Sequence, residues 1–172
     1  MAEALDPALP PGLDALAKQV LNEACDRGLM LVTAESCTGG LLASLLTDIP
    51  GSSHAFDRGF VTYTDEAKHE LLGVPTEVLA EHTAVSKETA LAMAEGALGR
   101  SKGAVAVAIT GYAEGNAKHG EEGGLVHFAS ARTGRPVMHR EEHFGDIGRA
   151  RVRIACLQVA LAMMLERLNG AD

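Results

Sequence analysis

A three-layer α/β/α fold around a mixed, mostly parallel sheet is what this 172-residue chain predicts. Three observations carry that expectation. Strand-like and helix-like runs alternate along the chain. Residues 104–110 are apolar without a break, as in a strand covered on both faces. Two β-rich runs, 125–131 and 137–144, meet at Thr133-Gly134-Arg135-Pro136 like a hairpin, which makes the sheet mixed.

The elements follow in order. Pro7, Pro10 and Pro11 mark a short N-terminal arm over residues 1–12 of a single domain, 1–172. Leu13, Leu16, Ala17, Val20, Leu21 and Ala24 recur at helical spacing, and Gly28 ends that helix. Leu29-Met30-Leu31-Val32 reads as a strand, and residues 41–46 as a helix. Pro50-Gly51-Ser52-Ser53 is a loop, and residues 56–64, rich in aromatic and β-branched types, form the next strand. Asp65 caps a short helix to Leu72, stopped by Gly73 and Pro75. Ser86 opens a helix to Leu98, a glycine-rich loop fills 111–124, and a long helix over 149–168 closes the chain.

Composition narrows the function classes. A hydrophobic content of 47% can fill one core, and the net charge of −8 with dispersed basic residues argues against direct nucleic-acid binding. No apolar run is long enough to span a membrane, and the acidic start, Met1-Ala2-Glu3-Ala4-Leu5-Asp6, is no secretory signal. The expected location is the cytoplasm. Cys25, Cys37 and Cys156 are widely spaced, so free thiols are expected. The Leu/Met/Ala-rich last helix serves core packing first and can form an oligomer seam. A homo-oligomer is the expected state.

The chemistry concentrates at Thr33-Ala34-Glu35-Ser36-Cys37-Thr38-Gly39-Gly40, between a strand and a helix. The first N–H groups of a helix lack intrahelical partners and favour negative charge. Ser36 at such a turn can attack a carbonyl while the amides of Thr38, Gly39 and Gly40 hold the oxyanion. The same turn suits phosphate, or is simply a capping turn. Lys68, in Tyr63-Thr64-Asp65-Glu66-Ala67-Lys68, can serve as base for a serine only if burial or a nearby cation removes its proton.

Together these segments resemble the CinA C-terminal domain family. The resemblance is carried by the octet around Ser36, by Pro50-Gly51-Ser52-Ser53, and by Arg58-Gly59-Phe60-Val61-Thr62-Tyr63 with Glu66-Ala67-Lys68. Leu72-Gly73-Val74, Thr83-Ala84-Val85-Ser86 and Ile109-Thr110-Gly111 extend it, in order, from about residue 13 to 168. Members of known activity are nicotinamide-nucleotide amidohydrolases, which deamidate nicotinamide mononucleotide to nicotinate mononucleotide in pyridine-nucleotide salvage. The resemblance implies a Ser–Lys dyad with a nearby tyrosine, here Ser36, Lys68 and Tyr63, and a small nucleotide as substrate. Thr110 and Gly111 are implied at the substrate, and no cofactor or metal is needed. Tyr63 would bridge Ser36 and Lys68 or hold the lysine. Arg58 would be either the cation that lowers the lysine pKa or a ligand for substrate phosphate. Arg149 and Arg153, one helical turn apart, would face that phosphate or be solvated helix residues.

The chain departs from the family after Ile109-Thr110-Gly111. Glu114 stands where relatives have glycine, and Gly115 where they have proline, so substrate binding is expected to be altered. Glu114 would either face the phosphate or pair with Lys118. Cys37 is a rival nucleophile at the same turn. His139-Arg140-Glu141-Glu142-His143 matches the H-x-x-E-H zinc-peptidase pattern, which needs a helix, yet lies in a strand-like stretch and is expected to be a chance match. A noncatalytic nucleotide- or phosphate-binding module, or a protein-interaction module linked to competence and DNA damage, are the alternative functions. Relatives often carry a further N-terminal domain, whose function is not expected of this chain.

Overall fold

The computed structural model describes residues 9–170, so most of the N-terminal arm lies outside the described residues. Helix α1 (Leu13–Asp26) leads to strand β1 (Leu31–Glu35), helix α2 (Leu41–Thr47) and strand β2 (Phe56–Val61). Helices α3 (Asp65–Leu72), α4 (Thr76–His82) and α5 (Lys87–Gly99) precede β3 (Val105–Gly111), β4 (Leu125–Arg132), β5 (Met138–His143) and α6 (Arg149–Asn169). The sheet order is β2-β1-β3-β4-β5. β1 pairs in parallel with β2 and β3, while β4 is antiparallel to both β3 and β5. Four strands therefore point the same way and β4 alone runs against them, which is the mixed, mostly parallel sheet expected.

Side chains alternate between the two faces of the sheet. Leu31, Val105, Val107, Ile109, Val126 and Phe128 pack on one face against α1, α2 and α6. Val32, Ala34, Ala106, Ala108, Ala129 and Ala131 pack on the other against α3, α4 and α5. Small side chains fill the second layer on both sides, Ala90, Ala94 and Ala97 of α5 meeting sheet alanines. The apolar stripe of α6, including Val152, Leu157, Leu161, Met164 and Leu168, is buried in the first layer. That is the core-packing role expected of the last helix.

Three boundaries differ from the expected ones. β1 begins and ends later than Leu29-Met30-Leu31-Val32 and carries Glu35 as its final residue. β2 stops at Val61, and Thr62 and Tyr63 leave the sheet. Thr64, not Asp65, caps α3: its hydroxyl accepts from the Ala67 N–H at 3.1 Å, and Asp65 opens the first turn, where the helix dipole favours it. Helix α4 is additional. Pro75 precedes it, and Leu79 is the one side chain it buries, too little for a periodic pattern.

Candidate active site

The Ser36 turn connects β1 to α2 at the carboxyl end of the parallel strands. Gly39 and Gly40 both have left-handed backbones, φ 60° and 91°, and a Cβ on Gly40 would meet Val61 Cγ2 at 3.1 Å. Their glycine identity is a requirement of the turn itself. Ser36 is held by its N–H, which donates to Ile109 O at 3.0 Å.

Lys68 reaches the turn from α3 and is only 1% exposed. Its Nζ lies 3.0 Å from Ser36 Oγ, 3.0 Å from Thr62 O and 3.5 Å from Tyr63 O. None of these partners carries a full negative charge. Burial pushes the Lys68 pKa below the usual lysine value, and Asp65 and Cys37 restrain that shift without cancelling it. A neutral amine has two N–H groups and one lone pair. Here the N–H groups can be given to the carbonyls of Thr62 and Tyr63 while the lone pair accepts from the Ser36 hydroxyl. The early end of β2 is what frees those two carbonyls.

A cleft of about 270 Å³ opens over this pair. Ser36, Lys68, Tyr63, Thr110, Gly111 and Arg149 all line it, together with Cys37, Ala84, Val85, Tyr112, Glu114 and Glu121. Ala84 and Val85 form one wall of it, within the segment 83–86. Thr83 has a left-handed φ of 68°, a strained state for a β-branched residue, and its carbonyl accepts from Thr89 Oγ1 at 2.6 Å. Thr110 Oγ1 donates to Ala84 O at 2.6 Å and ties that wall to β3. A larger groove of about 590 Å³ lies between Pro10, Leu16 and Arg151, away from this chemistry.

The remaining expected residues are placed differently. Tyr63 presents its carbonyl to the lysine, but the residue is 65% exposed and its hydroxyl hydrogen-bonds neither Ser36 nor Lys68. Arg58 is outside the cleft. Its Nε pairs with Asp57 at 2.8 Å and its Nη1 donates to Arg100 O, three residues back along β2, about 10 Å from Val61. It therefore does not act on Lys68, whose shift comes from burial. Arg149 and Arg153 face different ways. Arg153 Nη2 donates to Thr38 O at 2.9 Å behind the turn, while Arg149 pairs with Glu114 at 3.3 Å on the cleft wall. The Glu114 partner is thus Arg149, not Lys118.

The first amides of α2 are also committed. Glu35, fully buried, accepts from the Leu42 N–H at 3.0 Å and the Ala43 N–H at 2.8 Å. The Gly39 N–H donates to Ser36 O at 3.0 Å. Thr38, Gly39 and Gly40 do not line the cleft. A carboxylate of the protein occupies the Leu42 and Ala43 amides at this helix end, which leaves those two no role for an anion. Cys37, next to Ser36, is the other residue of the turn that lines the cleft. Cys25, Cys37 and Cys156 are free thiols, as expected. The Cys37 thiol hydrogen-bonds Cys156, which lowers its pKa, while that contact and burial push Cys156 up.

The sequence marks Glu35 only as an acidic residue that ends an apolar strand shortly before a Gly-Gly helix start. The HREEH stretch lies on strand β5, as expected.

Known proteins resemble this chain over most of its length. The sequence signature of the CinA C-terminal domain matches residues 13–168. The nicotinamide-nucleotide amidohydrolase PncC of Escherichia coli is 45% identical over 134 residues, 76% of this chain and 81% of that protein. A CinA-like protein of Syntrophus aciditrophicus is 45% identical over 152 residues, 85% of this chain but 34% of that protein. The chain spans 21% to 38% of the length of curated CinA-like and competence-damage relatives that it matches. Among solved structures, the competence/damage inducible protein CihA of Agrobacterium tumefaciens superposes with a TM-score of 0.88 at 47% identity, covering 98% of this chain and 99% of that one. With the signature covering nearly the whole chain, this protein belongs to the CinA C-terminal domain family.

Proposed function

We propose that this protein is a nicotinamide mononucleotide deamidase acting through Ser36 and Lys68. The single observation that carries the reading is the buried Lys68 Nζ, 3.0 Å from Ser36 Oγ with only neutral hydrogen-bond partners. The similarity to the amidohydrolase of Escherichia coli supports the substrate class.

In this mechanism Ser36 Oγ attacks the carboxamide carbon and its proton passes to the Lys68 lone pair. The carbonyl oxygen becomes an oxyanion, for which the Cys37 amide is the donor we assign. Collapse of that intermediate breaks the C–N bond, and the Lys68 ammonium returns its proton to the departing amine. Ammonia leaves and an ester of Ser36 remains. Water then attacks the ester with Lys68 again as base, releasing the carboxylate and restoring the serine. Tyr63 shapes the rim of the cleft in this scheme rather than moving a proton.

Arg149 is the cation for the substrate phosphate. Glu114 already neutralises it across the cleft wall, so the phosphate must displace that carboxylate. The pair is exposed on both sides and its attraction is modest, so the substrate still binds, but more weakly than it would to a free arginine. Ammonia release from nicotinamide mononucleotide tests the reading. The parent protein should release ammonia and form nicotinate mononucleotide, and Ser36→Ala should not. An inactive parent, or an active Ser36→Ala with an inactive Cys37→Ala, overturns it.

A further inference from the structure

We propose a divalent transition-metal site on the β4–β5 edge, formed by His127, His139 and Glu141, separate from the Ser36 cleft. β4 and β5 are antiparallel neighbours in which His127 sits directly opposite Glu141 and diagonally from His139. Residues 139 and 141 share one strand face by their spacing of two. One donor atom from each of the three side chains lies within 4.8 Å of the others. His127 Nδ1 is 3.1 Å from His139 Nε2 and 3.6 Å from Glu141 Oε2. Metal bonds of about 2.0–2.2 Å at a tetrahedral angle hold ligand atoms roughly 3.3–3.6 Å apart, so small side-chain movements admit an ion.

The surroundings fit this donor set. His143 Nε2 contacts Glu141 Oε1 at 2.7 Å and its Nδ1 contacts Glu122 Oε1 at 2.7 Å. A ligating carboxylate oriented by an imidazole, itself oriented by a second carboxylate, is the outer-shell arrangement that metal sites use. His127 is buried while Glu141 is half open to solvent, so the ion has an entry path. Two imidazole nitrogens with one carboxylate oxygen suit Zn²⁺ and its neighbours in the first transition row rather than Mg²⁺ or Ca²⁺. The zinc-peptidase pattern is not what forms this site. His139 and His143 are about 13 Å apart along the strand, and His127 comes from its neighbour. Glu122 belongs to the loop that also supplies Glu114 and Glu121 to the cleft, so an ion here would brace that loop against the sheet.

Titration of metal-free protein with Zn²⁺ alone tests the proposal. The parent should take up one equivalent and gain thermal stability. Glu141→Gln and His139→Gln should lose that uptake and that gain, and His143→Ala should bind roughly 10- to 100-fold more weakly. Melting of each metal-free variant reports its folding. Should His139→Gln fail to fold, Glu141→Gln decides, since that side chain is 45% exposed. No uptake by the parent overturns the site. So does uptake retained by a folded Glu141→Gln, or lost in a protein whose three cysteines are changed to serine.

Discussion

The two sides of the Ser36 turn each carry charged residues and use them in opposite ways. On the α2–α6 side, Glu35 is spent on the amides of Leu42 and Ala43, and Arg153 on the carbonyl of Thr38. On the α3 side, Lys68 meets two carbonyls and a hydroxyl. A carboxylate matched to two N–H groups holds a helix in place and, fully buried, is out of a substrate's reach. An ammonium buried among neutral oxygens is destabilised in its charged form and becomes a base. The same kind of residue is structural where its partners are complementary and chemical where they are not.

The largest expected effects fall on the chemical side. Ser36→Ala should lower kcat for ammonia release by roughly 10³-fold or more without unfolding the protein. Lys68→Arg should be similarly inactive, because a guanidinium keeps its proton. In the parent, activity should rise with pH through an apparent pKa below the ~10.4 of a free lysine, since in the proposed mechanism the deprotonated amine is the base. Stability should move in the same direction. The unfolded chain keeps the Lys68 proton to higher pH than the folded one, so unfolding takes up protons and stability rises between the two pKa values.

On the structural side, Glu35→Ala should melt the protein rather than slow a chemical step. Two buried amides lose their acceptor, each at about 1–3 kcal/mol, and denaturant unfolding should show a loss in that combined range. A folded, fully stable Glu35→Ala would break the comparison. Glu114→Gly should be the mildest change. It should lower KM with little change in kcat, because the freed Arg149 binds ground and transition states alike, and the gain should shrink in high salt. Equal KM values for the two proteins at low salt would remove Arg149 from the phosphate site.

How far the sequence reveals this site follows from how local each signal is. The strand–Ser36–helix order is contiguous, and the β3 run is apolar throughout, so both are legible. Lys68 is legible only through the resemblance to a family, since burial of a lysine depends on α3 docking against α5 and β2. Glu35 caps a helix from the preceding strand, seven and eight residues upstream, where capping patterns normally span three. Arg149 and Arg153 share a helical spacing, but the rotation of α6 decides that one faces the cleft and the other the back of the turn. Arg58 lies in a family-like segment, yet strand β2 carries it away from the reacting end. The histidine cluster needs the β4–β5 register, which a linear pattern search for H-x-x-E-H does not contain.

The most direct test is the protonation of Lys68 itself. Nuclear magnetic resonance of protein labelled at its five lysines follows each side chain through its titration, with Lys68→Met assigning the resonance of interest. Lys68 should lose its proton below the ordinary lysine value, since burial destabilises its ammonium. A Lys68 titration at the ~10.4 of a free lysine would contradict that.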